Sequence, residues 1–302
     1  MNSIEIQALR TLWKTLAPFL GFIARREVLL AQAGLKPVRI TPSEIDRVAV
    51  TNAITTAGLA CIPALRSTWI NSDKGKGGWS SAMAAEGEGT EFRHLYVATN
   101  QASANALRNA EESESPEKFG RELLIPSCCR HMFQRHAEAA ASVQNDFFVY
   151  SFNSQEANCV IEVPWELNLG AQYFDSSLIS HYPCSPLCED SLRIARLAAR
   201  IVGTIDPIAM KAAAHAMQMG TLYTEHHGVH LLPDPSRNKR GIRYSSDGVR
   251  STGACPLQQA LASGSLVTHD SSGNINVYEN EKIFHVTSDM ARILLPIVGN
   301  AR

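Results

Sequence analysis

Residues 181–189 read HYPCSPLCE, and residues 125–131 read IPSCCRH. These two segments contain four of the seven cysteines of the chain. Ser127 in one segment and Ser185–Pro186 in the other are residue types that cap and open helices, so we predict that each segment begins a helix. Packing of the two helix starts against each other would gather the thiols at one point and determine the fold of the middle of the chain.

Thiols at the start of a helix are suited to metal or redox chemistry. The free N–H groups and the partial positive charge there lower the pKa of a thiol and stabilise a metal–thiolate group. The side chains of adjacent residues diverge, so we expect only one of Cys128 and Cys129 to be a ligand, and we favour Cys129. With Cys184 and Cys188 it makes a set of three sulfurs, and Cys128 or His181 supplies a fourth ligand or lies close by.

Two cofactors suit this set. Three thiolates with one open or histidine position can hold an iron–sulfur cluster, which we expect to be of the 4Fe-4S type. The same residues, with His181 as the fourth ligand, also satisfy tetrahedral zinc. The spacing is neither the paired C-x2-C of zinc ribbons nor the C-x3-C-x2-C triplet of radical enzymes that use S-adenosylmethionine. Packing alone is the remaining interpretation of these cysteines, and it is the one we give to Cys61, Cys159 and Cys255.

Composition restricts the class of protein. The 302 residues are 45% hydrophobic and 19% charged, as in an ordinary globular protein. The formal net charge of −1 favours neither nucleic acid nor an anionic membrane as a partner. No run of residues approaches the roughly 20 apolar positions that span a bilayer, and no signal peptide is apparent. We therefore expect a cytoplasmic protein that binds a small molecule.

The hydrophobic pattern predicts an α+β fold, with a mixed sheet and several packed helices around one large core. We predict helices over 1–34, 41–58, 100–112, 127–143, 187–202 and 207–219. We predict strands over 94–98, 147–152, 159–163, 228–232, 265–268, 274–278 and 283–286. A glycine-rich loop over 72–89 and a linker over 111–117 would interrupt them. We divide the chain into an N-terminal region, 1–115, and a cysteine-site region, 116–302, packed as one compact unit.

A histidine-rich segment lies outside the cysteine pattern. His226 and His230 would share one face of a helix, a spacing used for zinc, but Gly228 and the following run favour a loop that enters a strand. Beside a genuine cysteine site, Glu225, His226 and His230 would serve as catalytic proton donors or substrate contacts.

The cysteine segments resemble the signatures of a poorly characterised bacterial and archaeal family. Residues 119–129 and Phe133 are similar to the pattern G-x-L-L-G-Y-P-x-C-C-x-x-x-F. Residues 164–168 and 178–191 are similar to the pattern P-W-x-L-N followed by L-x-S-H-x-P-C-S-x-x-C-x-x-S. The resemblance covers about a quarter of the chain and implies one site that contains Cys128, Cys129, His181, Cys184 and Cys188. The chain departs from the pattern at Ile125, where glycine-tyrosine is usual, and we expect this to alter the turn that enters the first helix.

These observations predict a metalloenzyme of biosynthesis whose iron–sulfur cluster binds a small molecule as a Lewis acid, transfers sulfur or passes electrons. An electron or sulfur donor protein would then be a partner. The same residues allow two alternatives, which are a structural or hydrolytic zinc site and a non-catalytic sensor of metal or redox state.

Overall fold

The computed structural model describes residues 3–72, 81–83, 89–141, 147–152, 160–224, 226–239, 241–270, 274–280, 282–287 and 291–297. The helices within these ranges are α1 (Ser3–Leu16), α2 (Phe22–Gln32), α3 (Arg47–Thr56), α4 (Gln101–Glu112), α5 (Pro116–Glu122), α6 (Ser127–Ala141), α7 (Phe148–Ser151), α8 (Glu189–Ile205), α9 (Pro207–Gln218) and α10 (Pro256–Ser263). Two short 3₁₀ helices, Trp165–Leu167 and Leu169–Phe174, precede the second cysteine segment.

The strands within the described ranges fall into four sheets. Their bounds are β1 (Val38–Ile40), β2 (Ala60–Pro63), β3 (Thr68–Ser72), β4 (Ser81–Met83), β5 (Thr90–Phe92), β6 (Leu95–Ala98), β7 (Ile161–Pro164), β8 (Gly220–Tyr223), β9 (Val229–Leu232), β10 (Ser236–Asn238), β11 (Gly241–Arg243), β12 (Arg250–Ser251), β13 (Leu266–His269), β14 (Asn274–Glu279), β15 (Lys282–Thr287) and β16 (Arg292–Ile297). Two sheets have three strands, in the orders β1-β6-β2 and β4-β3-β5. Two have five strands, in the orders β12-β9-β8-β16-β7 and β10-β11-β13-β14-β15.

The architecture confirms the α+β prediction. The sheet that contains β7 is mixed, because β16 pairs parallel with β7 and antiparallel with β8. The largest hydrophobic cluster joins this sheet to α1, α2, α7, α8 and α9. A second cluster joins α1, α2 and α3 to β1 and β6, and a third lies around α10 and the antiparallel five-stranded sheet. Helix α1 belongs to the first two clusters, and the division of the chain at 115/116 stays a prediction.

Several predicted helix ends are confirmed. Gly34, with φ of +70°, follows α2, and the backbone N–H of Leu35 donates to the carbonyl of Leu30 at 3.0 Å. Gly58, with φ of +83°, ends α3 in the same way. Glycine adopts this left-handed conformation without the steric cost of a Cβ, so it stops a helix at a defined residue. The helix predicted over 1–34 is nevertheless broken after Leu16, because Pro18 cannot donate a helical hydrogen bond.

Two predicted boundaries are wrong. The helix expected from Thr41 begins at Arg47, because the Thr41 hydroxyl bonds Nδ1 of His94 at 2.7 Å instead of capping. Much of the 111–117 linker is helical, since α4 continues to Glu112 and Pro116 opens α5. Helix α9, in contrast, ends at Gln218, within one residue of its predicted end, and Gly220 opens β8.

Two more predictions need correction. Residues 147–152 form the helical turn α7 rather than a strand, and the ring of Phe148 stacks on Tyr223 with 4.3 Å between centroids. Burial of this aromatic pair outweighs the strand propensity of the segment. The loop predicted over 72–89 contains β4, which pairs with β3, and the rest of its interior lies outside the described residues. The remaining predicted strands are found within a residue or two of their expected bounds.

Among the residues that the structure describes, no helix is long and apolar enough to cross a membrane.

Candidate metal centre

The four cysteines of the two segments meet at one point. The Sγ atoms of Cys128 and Cys129 lie 3.8 Å apart, and the Sγ of Cys188 lies 3.8 Å from the first and 3.7 Å from the second. With Cys184, all four sulfurs lie within 4.8 Å of one another. No disulfide joins them, so the group offers four thiols to one centre.

Local structure explains how adjacent cysteines both reach the centre. Helix α6 begins at Ser127, so Cys128 and Cys129 lie in its first turn. Side chains of a helix tilt toward its N-terminus, so both sulfurs project beyond the end of the helix. The two adjacent side chains therefore do not diverge, and the expectation that only one of the pair is a ligand stays a prediction.

The second segment forms a tight turn before its helix. The backbone N–H of Cys188 donates to the carbonyl of Ser185 at 3.2 Å, and Cys188 is the N-cap of α8. The predicted helix start at Ser185–Pro186 is therefore wrong by about one turn, and Leu187 is 63% exposed rather than on the buried face. The turn places Cys184 and Cys188 on the same side, next to the start of α6.

The surroundings affect the four thiols unequally. Burial raises the pKa of Cys129, and it also raises the pKa of Cys184 to about 12 together with the neighbouring Cys128 and Cys188. Burial alone would raise the pKa of Cys188, but hydrogen bonds from the hydroxyl and the N–H of Ser191 outweigh it and lower the pKa to about 7. Four thiolates at these distances repel one another, so a cation is needed to hold all of them ionised.

Ser191 and His181 surround the sulfurs on one side. Ser191 is fully buried on α8, and its Oγ lies 3.3 Å from the Sγ atoms of both Cys129 and Cys188. The Nε2 of His181 lies 2.9 Å from the same oxygen. Desolvation and the positive charge of Lys36 lower the pKa of His181 to about 3, so its imidazole is neutral. His181 therefore lies one hydrogen bond behind the sulfurs, outside the group of four cysteines.

A buried ionic network lies beyond His181. The guanidinium of Arg26 is fully buried, donates to the carboxylate of Glu27 at 2.7 Å and also bonds the hydroxyl of Ser180. Lys36 pairs with the other oxygen of Glu27 at 2.7 Å. Burial opposes ionisation of Glu27, but Lys36 and Arg26 together lower its pKa to about 2. Asp175 acts on Arg26 as a second carboxylate, so the buried charges behind His181 are two cations and two carboxylates.

Of the predicted catalytic residues, His226 and His230 lie in the β8–β9 hairpin. Glu225 lies outside the described residues, and His226 is exposed. His230 is fully buried on β9, where its Nδ1 lies 2.7 Å from Oγ of Ser251 and its Nε2 lies 3.0 Å from the carbonyl of His227. Burial lowers the pKa of His230 to about 4. The catalytic roles of Glu225, His226 and His230 stay predictions.

Sequence reasoning missed two parts of the site. Ser191 follows Cys188 by three positions, so on a helix that begins there it faces the same side, and this spacing was a usable signal. No local pattern indicated Arg26 or Glu27, because α2 reaches the site only through tertiary packing.

Comparison of the chain with protein-family models, with curated proteins and with solved structures finds no match in any of the three.

Proposed function

We propose that the protein is a metalloprotein in which Cys128, Cys129, Cys184 and Cys188 bind one tetrahedral metal ion, with Zn²⁺ as the best match. The observation that carries the proposal is the separation of 3.7–3.8 Å between the Sγ atoms of Cys128, Cys129 and Cys188, with the Sγ of Cys184 within 4.8 Å of each of them. A tetrahedron of thiolates with metal–sulfur bonds of about 2.3 Å has edges of about 3.8 Å.

The same distances favour a single ion over the 4Fe-4S cluster predicted from sequence. A cubane cluster places irons and sulfides between its cysteine ligands, which therefore lie roughly 6 Å or more apart. The four sulfurs here all lie within 4.8 Å of one another. A cluster would require the starts of α6 and α8 to separate, whereas a single ion fits the sulfurs where they are.

A single iron is the second candidate for the ion. Four thiolates in a tetrahedron suit iron as well as zinc, and we prefer zinc because a closed set of four cysteines is a common structural zinc site. A single iron could pass electrons, which is one of the functions predicted from the sequence, and it would require an electron-donor protein as a partner. Zinc calls for no electron or sulfur donor.

A four-thiolate ion has a closed ligand set, which is typical of structural rather than catalytic zinc. The ion would cross-link the start of α6 to the start of α8, and both helices carry side chains that pack into the hydrophobic clusters. We propose that it fixes these two helix starts beside a small-molecule site, and that any chemistry there belongs to side chains outside the four cysteines. Reduced thiols are needed for such a site, so we propose a reducing compartment such as the cytoplasm.

Metal analysis with X-ray absorption spectroscopy on protein purified without oxygen tests the proposal. We expect about one zinc per chain, no visible absorbance and a shell of four sulfurs at about 2.3 Å. A brown protein with iron and acid-labile sulfide in similar amounts would instead establish the cluster. A folded protein that takes up no metal would refute both the single ion and the cluster.

Matched cysteine variants locate the site. Cys184→Ser and Cys188→Ser should each lose most of the bound metal. Cys255→Ser is the control, because Cys255 caps α10 through its sulfur and serine is a good residue for that role. Full metal content in both ligand variants would refute the assignment of the ligands.

A further inference from the structure

A cavity of about 460 Å³ opens beside the metal centre. Cys129 and His181 are among its lining residues, so it reaches both the ligand group and the shell behind it. Small-molecule sites have volumes of roughly 300–1,000 Å³. The cavity therefore has room for a ligand that contacts the surroundings of the metal without replacing a thiolate.

The walls of the cavity are largely aromatic and aliphatic. Phe119, Phe133 and Tyr182 line it, together with the aliphatic side chain of Leu123. The ring of Phe133 stacks on Phe147, with 4.1 Å between centroids and 18° between planes, which fixes its orientation. Rigid aromatic walls favour a ligand with a flat, apolar face.

The two arginines that line the cavity are already paired. Arg39 forms an ion pair with Glu111, and the Nε of Arg130 lies 3.1 Å from both carboxylate oxygens of Glu117. Glu114 lines the cavity from an exposed position and adds a negative charge. An anionic ligand would therefore have to displace an existing ion pair, which favours an uncharged one.

His181 lines the cavity, and its hydrogen bond to Ser191 determines which ring nitrogen can accept from a ligand. Metal-bound thiolates carry no proton and can only accept, so the hydroxyl of Ser191 donates to the Sγ of Cys188. The oxygen of Ser191 must then accept from Nε2–H of His181, which fixes the tautomer of the ring. In the neutral imidazole, Nδ1 is left as a hydrogen-bond acceptor, and His181 lines the cavity.

We propose that this cavity binds an uncharged aromatic or heteroaromatic small molecule that donates an O–H or N–H hydrogen bond to Nδ1 of His181. The tautomer part of the proposal rests on the proposed metal centre, because bound thiolates set the direction of the Ser191 hydrogen bond. The aromatic walls and the paired charges do not depend on the metal. A ligand held in this way is linked to the sulfurs through His181 and Ser191.

Calorimetric titration of metal-loaded protein with three related probes tests the ligand class. Indole has a flat face and one N–H donor, 1-methylindole lacks the donor, and indole-3-carboxylate adds a charge. We expect indole to bind at least tenfold more tightly than either of the others, because each of them leaves a buried polar group without a partner. Equal affinities for indole and 1-methylindole would refute the role of His181, and no binding of indole would refute the cavity as a site for this class.

Variants separate this proposal from the metal centre. Leu123→Trp should fill the cavity and abolish indole binding with the metal content unchanged. Leu65→Trp is the matched control, since Leu65 is 62% exposed and does not line the cavity. His181→Phe should remove the preference for indole over 1-methylindole, and undiminished preference would overturn the assignment of Nδ1.

Metal content is measured on the same samples. If the protein holds its metal but binds no indole, the proposal of a metal centre stands and the proposal for the cavity is refuted. If the protein contains no metal but binds indole, and Leu123→Trp blocks that binding, the proposal for the cavity stands and the proposal of a metal centre is refuted.

Discussion

Replacement of Ser191 by alanine should weaken metal binding without removing a ligand. The Ser191 hydroxyl lies 3.3 Å from two of the four sulfurs and 2.9 Å from Nε2 of His181. It has one proton, so it makes one hydrogen bond to a thiolate at a time. The variant keeps the backbone of α8 and removes that bond together with the hydrogen bond between Ser191 and Nε2 of His181.

The magnitude follows from the charge of the acceptor. A hydrogen bond to a charged group contributes roughly 1.5–3 kcal/mol, which corresponds to a change of about 10-fold to 150-fold in an equilibrium constant. Loss of outer-shell partners of metal ligands typically costs about 10-fold to 100-fold in affinity. The Nε2–H of His181 also loses its acceptor, which adds to the penalty. We therefore expect Ser191→Ala to bind Zn²⁺ about 10-fold to 100-fold more weakly.

Competition with a chromophoric chelator measures this difference. Thr204→Ala is the control, because Thr204 lies exposed on the same helix and its hydroxyl donates to the carbonyl of Arg200, away from the sulfurs. Its affinity for Zn²⁺ should stay within twofold of the parent protein. An unchanged affinity in Ser191→Ala would show that the hydroxyl does not stabilise the bound thiolates, and the reasoning about the shell of the metal would be wrong.

Three other predictions concern the fold around the site. Asp175→Ala should lower the free energy of unfolding by about 1–2 kcal/mol, because the Asp175 carboxylate accepts hydrogen bonds from the first backbone N–H groups of α2. Asp175→Asn should keep most of this stability, and a denaturant titration measures both variants. Burial, aided by Arg39, lowers the pKa of His94 to about 3 in the folded protein. Its contribution to stability is complete above the unfolded pKa of about 6.5. As the pH falls toward 3 that stability is lost, because the unfolded chain takes up a proton at His94 that the folded protein does not. His94→Asn should therefore reduce the dependence of unfolding free energy on pH by about 1.4 kcal/mol per pH unit between pH 4 and 6, and an unchanged slope would contradict it. Gly170→Ala should lower the free energy of unfolding by about 1–3 kcal/mol, because the new Cβ would lie 2.2 Å from two side-chain atoms of Thr221. Thermal unfolding measures this loss.

Local signals predicted the elements that depend on local physics. The left-handed glycines after α2 and α3 and the N-cap of α4 at Asn100 were readable because they need only the residues within one turn. Thr41 shows where this fails, because a good capping residue was diverted to His94, 53 positions along the chain. Phe148 shows the same for a strand signal, since its stacking partner Tyr223 was not visible locally.

The four cysteines were all identified from sequence, but the kind of centre was not. Residue type gives the ligand chemistry, and thiolates suit zinc, iron and clusters alike. The choice between one ion and a cluster depends on the distance between the starts of α6 and α8. That distance is fixed by packing far from both cysteine segments, including contacts of α8 with α1, α2 and α9. Separations of 3.7–3.8 Å are therefore information that only the assembled fold supplies, and they turn a general thiolate site into a specific proposal of one tetrahedral ion.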